Sequence, residues 1–153
     1  MLLKRIEKDG VIKAIYDSSN VVASVYNTNT NELSLIFKAG TKYKYKDVSR
    51  ADYLRFELAD SQGSVFNSHF KKYLYEKMGT VDITKILEES TSIKKQEYDA
   101  ELALKKEKLT KTLKGTVLLI DGGKPFVQTL EVLKKDIDDF INKLNEKEKD
   151  EVQ

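Results

Sequence analysis

Over the first third of the chain, apolar and polar positions alternate in short runs, as in strands that bury one face. Turn residues such as Asp9-Gly10 and Ala39-Gly40 separate these runs. We predict strands over residues 11–16, 21–26, 33–37 and 41–46, with residues 4–7 as a hairpin partner for the first of them. In the last of these strands, Lys42 and Lys44 share one face, and Tyr43 and Tyr45 share the other.

Apolar residues take up helical spacing from about residue 49. Ser49 is suited to be an N-cap, and residues 50–60 are predicted to form a helix that ends near Gly63. Helical spacing of aromatic and aliphatic residues then predicts a second short helix over residues 64–78. Residues 1–79 are therefore predicted to form an α+β domain, a small antiparallel sheet with two short helices.

The second half is dominated by Lys, Glu, Leu and Ala, which are strong helix formers. We predict a linker or short helix over residues 80–92, an antiparallel helical hairpin over 93–146 and a frayed tail over 147–153. The turn of the hairpin is predicted at Gly122-Gly123-Lys124-Pro125, where glycine ends one helix and proline begins the next. Residues 116–120 are β-branched and aliphatic, so they could continue the helix or add a strand to the first sheet.

Apolar residues of the last helix recur in steps of four and three, which is the spacing of a coiled-coil seam. This stripe could seal the hairpin on itself or on the first domain, or it could join copies of the chain. We expect it to be an oligomerisation element in a homo-oligomer. Its residues are Leu130, Leu133, Ile137, Phe140 and Leu144.

Composition removes several classes of chemistry. The chain has no cysteine, so disulfides, thiol catalysis and thiolate metal sites are excluded, and its single histidine is His69. The net charge is only +2, far from that of a dedicated nucleic-acid neutraliser. The longest aliphatic run, residues 117–120, is too short to span a membrane. We expect no catalytic activity, cofactor, metal or membrane partner, and a cytoplasmic location.

The candidate binding surface consists of lysines that could neutralise phosphates and tyrosines that could stack on bases. The alternative is that the tyrosines belong to the core and the lysines only solvate the outer face. Asn67 could bond a ligand or satisfy nearby backbone groups, and His69 has no catalytic partner in the sequence. The predicted ligand-binding residues are Lys42, Tyr43, Lys44, Tyr45, Arg50, Asn67, Lys71 and Lys72.

Residues from about 21 to 73 resemble the KTSC domain, which is found at the C-terminus of some lysyl-tRNA synthetases and as a stand-alone bacterial or phage protein. The resemblance rests on an ordered set: a hairpin strand leading through Gly40, the Tyr43-Lys44-Tyr45 strand, Asp47-Val48, and Gly63-Ser64-Val65-Phe66-Asn67. His69 and Phe70 depart from the usual residues, and the helical hairpin lies outside the family pattern. The placement on a tRNA synthetase implies RNA binding by analogy.

Two functions follow from these patterns. The first is a non-catalytic binding module for RNA or a phosphate-bearing nucleotide, such as a phage-type nucleotide-sequestering protein. The alternative is a protein-interaction module whose helical hairpin docks a partner, for instance a host protein.

Overall fold

The computed structural model describes residues 1–123 and 126–151 and confirms the α+β class. Contacts divide the chain into two compact units, one of residues 1–94 and one of residues 95–153. The first unit contains an antiparallel sheet with short helices, and the second contains an antiparallel helical hairpin. Among the described residues, no helix is both long and apolar enough to cross a membrane.

The six strands pair with their neighbours in sequence order, so the sheet is an antiparallel meander. Short turns join the first five strands, whereas the helices lie between β5 and β6 in the chain. Gly10 and Gly40 adopt the positive φ angles of 73° and 84° that glycine tolerates best. All four strands predicted from alternation are present, and residues 4–7 do pair with the first of them. The strands are β1 (Leu2–Lys8), β2 (Val11–Tyr16), β3 (Val21–Asn27), β4 (Glu32–Phe37), β5 (Thr41–Tyr45) and β6 (Tyr75–Thr80).

Short helices cover one face of the sheet. Helix α1 spans Arg50–Glu57, and the Ser49 hydroxyl accepts from the Asp52 amide at 3.1 Å, as expected of an N-cap. Helix α2 spans Gln62–Val65, and a π-helical turn over Phe66–Phe70 follows it. The core between this layer and the sheet includes Ile12, Tyr16, Tyr26, Leu33, Leu35, Tyr45, Val48, Tyr53, Phe56 and Phe70.

The predicted helix over residues 64–78 is wrong in its second half. Helical structure ends with the turn over Phe66–Phe70, and Tyr75–Thr80 forms β6, which pairs with β5. Tyr75 lies opposite Tyr45, and their ring centroids are 5.9 Å apart. The strand satisfies the free backbone edge of β5 and adds a ring to an aromatic cluster, and both gains depend on residues distant in sequence.

Helix α3 spans Thr84–Asp121, and helix α4 spans Val127–Glu151. Residues 80–92, predicted as a linker or short helix, are helical from Thr84 onward as part of α3, which begins where the Asp82 carboxylate accepts from the Thr84 amide at 2.9 Å. Residues 116–120 are helical, and α4 continues beyond residue 146 through strong helix formers. Lys124 and Pro125 of the predicted turn lie outside the described residues, as do Val152 and Gln153 of the predicted tail.

Candidate functional site: an aromatic cleft

Strand alternation separates the lysines of β5 from its tyrosines. Tyr43 lies opposite Leu35 and Tyr45 opposite Leu33, so both tyrosines share the face that carries the core leucines. Lys44 lies opposite Ser34, on the other face of the sheet. The two halves of the predicted site, lysines and tyrosines of one strand, therefore cannot contact one ligand together.

The tyrosine face of β5 forms the floor and one wall of an open cleft of about 710 Å³, which is within the usual size range of ligand pockets. Buried Tyr45 and Phe70 form its base, whereas Tyr75 stands at the rim with 66% of its surface exposed. Ring centroids of neighbouring pairs, such as Phe37 with Phe66 and Tyr43 with Tyr75, are 5.3 and 5.8 Å apart. The six rings of the lining are Phe37, Tyr43, Tyr45, Phe66, Phe70 and Tyr75.

Tyrosine hydroxyls divide into two groups. Five of the eight bond to protein groups, such as the Tyr26 hydroxyl, which donates to the Val48 carbonyl at 2.9 Å. The other three belong to Tyr43, Tyr45 and Tyr75, and they have no hydrogen-bond partner among the described residues. Burial raises the pKa of Tyr45 to about 12, and its neighbours Tyr43 and Tyr75 act in the same direction. The cleft thus offers hydroxyl groups that can donate to a ligand.

Two lysines border the cleft, and the lining contains no acidic residue. Neither Lys38 nor Lys71 forms an ion pair with any described carboxylate, and both side chains are exposed. By contrast, the Lys44 ammonium lies 2.7 Å from a Glu32 carboxylate oxygen, and that of Lys72 lies 3.0 Å from Asp52. Of the predicted cations, Lys71 is therefore the one that the structure places at the cleft with its charge uncompensated.

The remaining predicted residues lie elsewhere. Lys42 is on the opposite sheet face from Tyr43, Arg50 is exposed at the start of α1, and exposed Asn67 does not line the cleft. The Nδ1 atom of His69 lies 2.6 Å from the Ser68 hydroxyl, outside the cleft lining. That hydroxyl also bonds the Ser64 carbonyl at 3.0 Å, as serine commonly does within helices. No group of three or more potential metal-ligating residues occurs in the described part of the chain.

A charged network fixes the segment that leads from the cleft into β6. The Tyr73 hydroxyl donates to the largely buried carboxylate of Asp52, which also accepts from Arg55 at 2.8 Å. The hydrogen bond from Tyr73, followed by that from Lys72, lowers the pKa of Asp52. This network ties Lys72 and Tyr73, which follow the π-helical turn, to α1. It therefore fixes the short segment between the two cleft residues Lys71 and Tyr75.

Sequence reasoning missed most of the cleft. Phe37 ends β4 and Lys38 follows it, and Phe66 precedes the predicted site residue Asn67, but no local pattern brings these three together. The predicted helix over residues 64–78 contains Tyr75, so it gives no indication that this ring lies beside Tyr45. The available signal was the concentration of aromatic residues between 66 and 75, which is more than a helix of that length needs for packing.

The predicted oligomerisation residues all lie on α4. Leu130, Ile137 and Leu144 are substantially exposed in the single chain, whereas Leu133 and Phe140 are half-buried. The side chains of α4 that are buried instead are the polar Asp136 and Lys143.

Comparison with known proteins identifies part of the first unit. Residues 17–75 match the KTSC domain family, so the resemblance seen over residues 21–73 is confirmed with slightly wider bounds. A crystal structure of a KTSC domain protein from Yersinia pestis is similar, with 26% identity and a TM-score of 0.42, over 44% of this chain and 96% of that one. The search of curated proteins found no match. The KTSC match includes β3 to β5 and all of the residues that line the cleft.

Proposed function

We propose that this protein is a non-catalytic binding module for a nucleotide unit, which is held in the aromatic cleft as a free nucleotide or as part of single-stranded RNA. The observation that carries the proposal is the division of the tyrosines: the three hydroxyls without a protein partner all belong to rings that line the cleft. No buried side-chain oxygen or nitrogen among the described residues lacks a partner, so these three hydroxyls are reached by solvent and can bond a polar ligand that enters the cleft.

The chemistry of the lining favours a flat, anionic ligand. Aromatic rings provide stacking surfaces, and base–aromatic stacking contributes about 1–3 kcal/mol per base. Lys38 and Lys71 add two uncompensated positive charges at the margin, and no acidic residue opposes them. A nucleotide fits both features, because its base can stack among the rings while its phosphate lies near the lysines.

Binding is tested on the full-length protein with two probes: a fluorescently labelled short single-stranded oligoribonucleotide, and a set of nucleoside monophosphates with the matching nucleosides. We expect Tyr75→Ala to weaken binding about 5- to 100-fold through lost stacking. Because Tyr75 is 66% exposed, this change leaves the fold intact. A monophosphate that binds while its nucleoside does not would show that phosphate is recognised, and binding of the oligoribonucleotide alone would identify RNA as the source.

The matched control for the charges removes two other lysines of the same unit. Lys38→Gln with Lys71→Gln removes the charges at the cleft, whereas Lys42→Gln with Lys46→Gln removes two charges from positions outside the lining. We expect the first pair to lose at least about tenfold in affinity and the second to bind as the wild type does. Equal losses in both pairs, or no binding of any probe, would refute the cleft as a nucleotide site.

The hairpin favours a second function, that of a protein-interaction module. Its apolar seam is exposed in the single chain, although such residues are normally buried. This function concerns a different unit from the cleft, so the two proposals stand or fall separately.

A further inference from the structure

Several polar contacts join the two helices of the hairpin. The Thr112 hydroxyl donates to the Asp136 carboxylate at 2.6 Å, and the Lys108 ammonium lies 3.1 Å from the same group. At the other end, the Tyr98 hydroxyl donates to the Lys143 carbonyl at 3.0 Å. These contacts also show the antiparallel order, since residue 98 faces 143 and residue 112 faces 136. Polar side chains thus take part in joining the two helices, and several apolar side chains of the hairpin stay substantially exposed.

A stripe of apolar side chains on each helix points to the side of the hairpin. Successive residues of a helix are rotated by about 100° about its axis. On α4, the mean direction of Leu130, Ile137 and Leu144 is therefore rotated by roughly 100° from the mean direction of the buried Asp136 and Lys143. On α3, the mean direction of Leu109, Leu113 and Ile120 is rotated by roughly 50° from the side of the helix that faces α4. Viewed along each chain, this rotation has the same sense as the one on α4.

In antiparallel helices, displacements of the same sense point to the same side of the pair. Both stripes therefore form one apolar face, with Leu113 48% and Ile137 39% exposed.

We propose that this face binds the same face of a second copy, so that two hairpins form a four-helix bundle around a shared apolar core. In such bundles each helix directs its apolar stripe away from its neighbour and toward the bundle axis, as α3 and α4 do here. One hairpin is half of that arrangement. A two-fold dimer is the simplest closed assembly that buries the same patch on both chains.

The size of the face suits a stable dimer. Leu102 to Ile120 extends for about 27 Å along α3, and Val127 to Leu144 for about 26 Å along α4. With a width of two helices, roughly 20 Å, the projected area is on the order of 500 Å² per copy. Because side chains make the accessible area larger than the projection, the total reaches the roughly 1,000 Å² expected of a specific interface.

The charges around the face favour a second copy over a lipid surface. Helix α4 has eight acidic and five basic residues, a net charge of −3. Helices that lie on membranes have basic polar faces, because they are attracted to anionic lipids. Helix α3, which we expect to pack across α4 of the other copy, has eight basic and seven acidic residues, so its net charge is +1. The opposite signs agree with this packing.

Sedimentation equilibrium of the full-length chain tests the proposal. We expect twice the chain mass of 17.5 kDa for the wild type. Leu113→Lys on α3 and Ile137→Lys on α4 should each raise the dissociation constant at least roughly 100-fold, because each would place an unpaired charge in the bundle core. Both side chains are more than a third exposed in the single chain, so an unchanged helical circular dichroism signal will show that the hairpin still folds.

The chain offers a matched control on α3. Leu104 is 70% exposed and lies on nearly the opposite side of the helix from Leu113, so Leu104→Lys should leave the dimer unchanged. The proposal is overturned if the wild type has the mass of a single chain, or if the dimer tolerates both face variants. It is also overturned if Leu104→Lys dissociates the dimer as strongly as they do. A single-chain mass together with flotation on anionic vesicles would assign the face to lipid instead.

Discussion

Glu57 is a carboxylate that is only 2% exposed, and two neighbours compensate it. The Arg5 guanidinium donates at 3.1 Å and the Tyr53 hydroxyl at 2.7 Å. We predict that Glu57→Leu lowers the free energy of unfolding by about 3 kcal/mol, because it leaves the buried Tyr53 hydroxyl without its acceptor and removes one of the two carboxylates that Arg5 bonds. Urea unfolding followed by tyrosine fluorescence reports on this unit. The control is Glu7→Gln, which removes the exposed partner of the same arginine. It should change the free energy of unfolding by less than about 0.5 kcal/mol.

Asp52 gives the first unit a specific dependence on pH. Its pKa is lowered in the folded state, chiefly by the bond from Tyr73, so the stabilisation is complete above its unfolded pKa of about 4 and is lost as pH falls through the folded value. Asp52→Asn should cost about 1–2 kcal/mol near neutral pH, since Lys72 and Arg55 are exposed and contribute little. The difference between wild type and variant in urea unfolding should shrink below about pH 4. A difference that stays constant down to about pH 3 would contradict this account.

At the level of elements, we predict that substitution by alanine has opposite effects on stability at two glycines. A Cβ at Gly115, inside α3, would meet no atom within 4 Å, so Gly115→Ala should stabilise the hairpin by about 0.5–1 kcal/mol. Gly40 has a φ of +84°, and a Cβ there would approach the Val81 carbonyl to 3.1 Å. Gly40→Ala should therefore cost about 1–2 kcal/mol. Urea unfolding followed by circular dichroism measures both, and equal signs would contradict the prediction.

The elements that sequence could predict are those with a local cause. Alternation located β2 to β5, and the capping position of Ser49 located α1, because both signals lie within a few residues. β6 escaped because its reason to form is the free edge of β5, about thirty residues earlier in the chain. No boundary forms at residue 92, where the predicted linker or short helix was expected to end, and α3 continues through it; the Thr91 hydroxyl donates to the Leu87 carbonyl at 2.9 Å, as threonine can inside a helix.

At the scale of the whole molecule, the sequence predicts that Tyr43 and Tyr45 share one face of the sheet. It does not predict which other residues form the cleft with them. Alternation separated them from Lys42 and Lys44, and the structure keeps that separation. Lys38 could not be predicted as a site residue, because only the folded sheet and the π-helical turn bring it near Lys71. Prediction therefore succeeded where one strand decides the outcome and failed where three elements meet.

The cleft and the hairpin face belong to different units, so we predict that their variants act independently. For single-stranded RNA, each phosphate contact changes the slope of log affinity against log salt by about 0.7. Lys71→Gln should reduce the magnitude of that slope by about 0.7 and leave the mass in solution unchanged. Ile137→Lys should halve the mass and leave both slope and affinity per chain unchanged. Fluorescence anisotropy over a range of salt, with sedimentation of the same samples, measures both quantities. If Ile137→Lys also lowered affinity per chain, the ligand would need residues from both copies, and the cleft of one chain would not be the complete site.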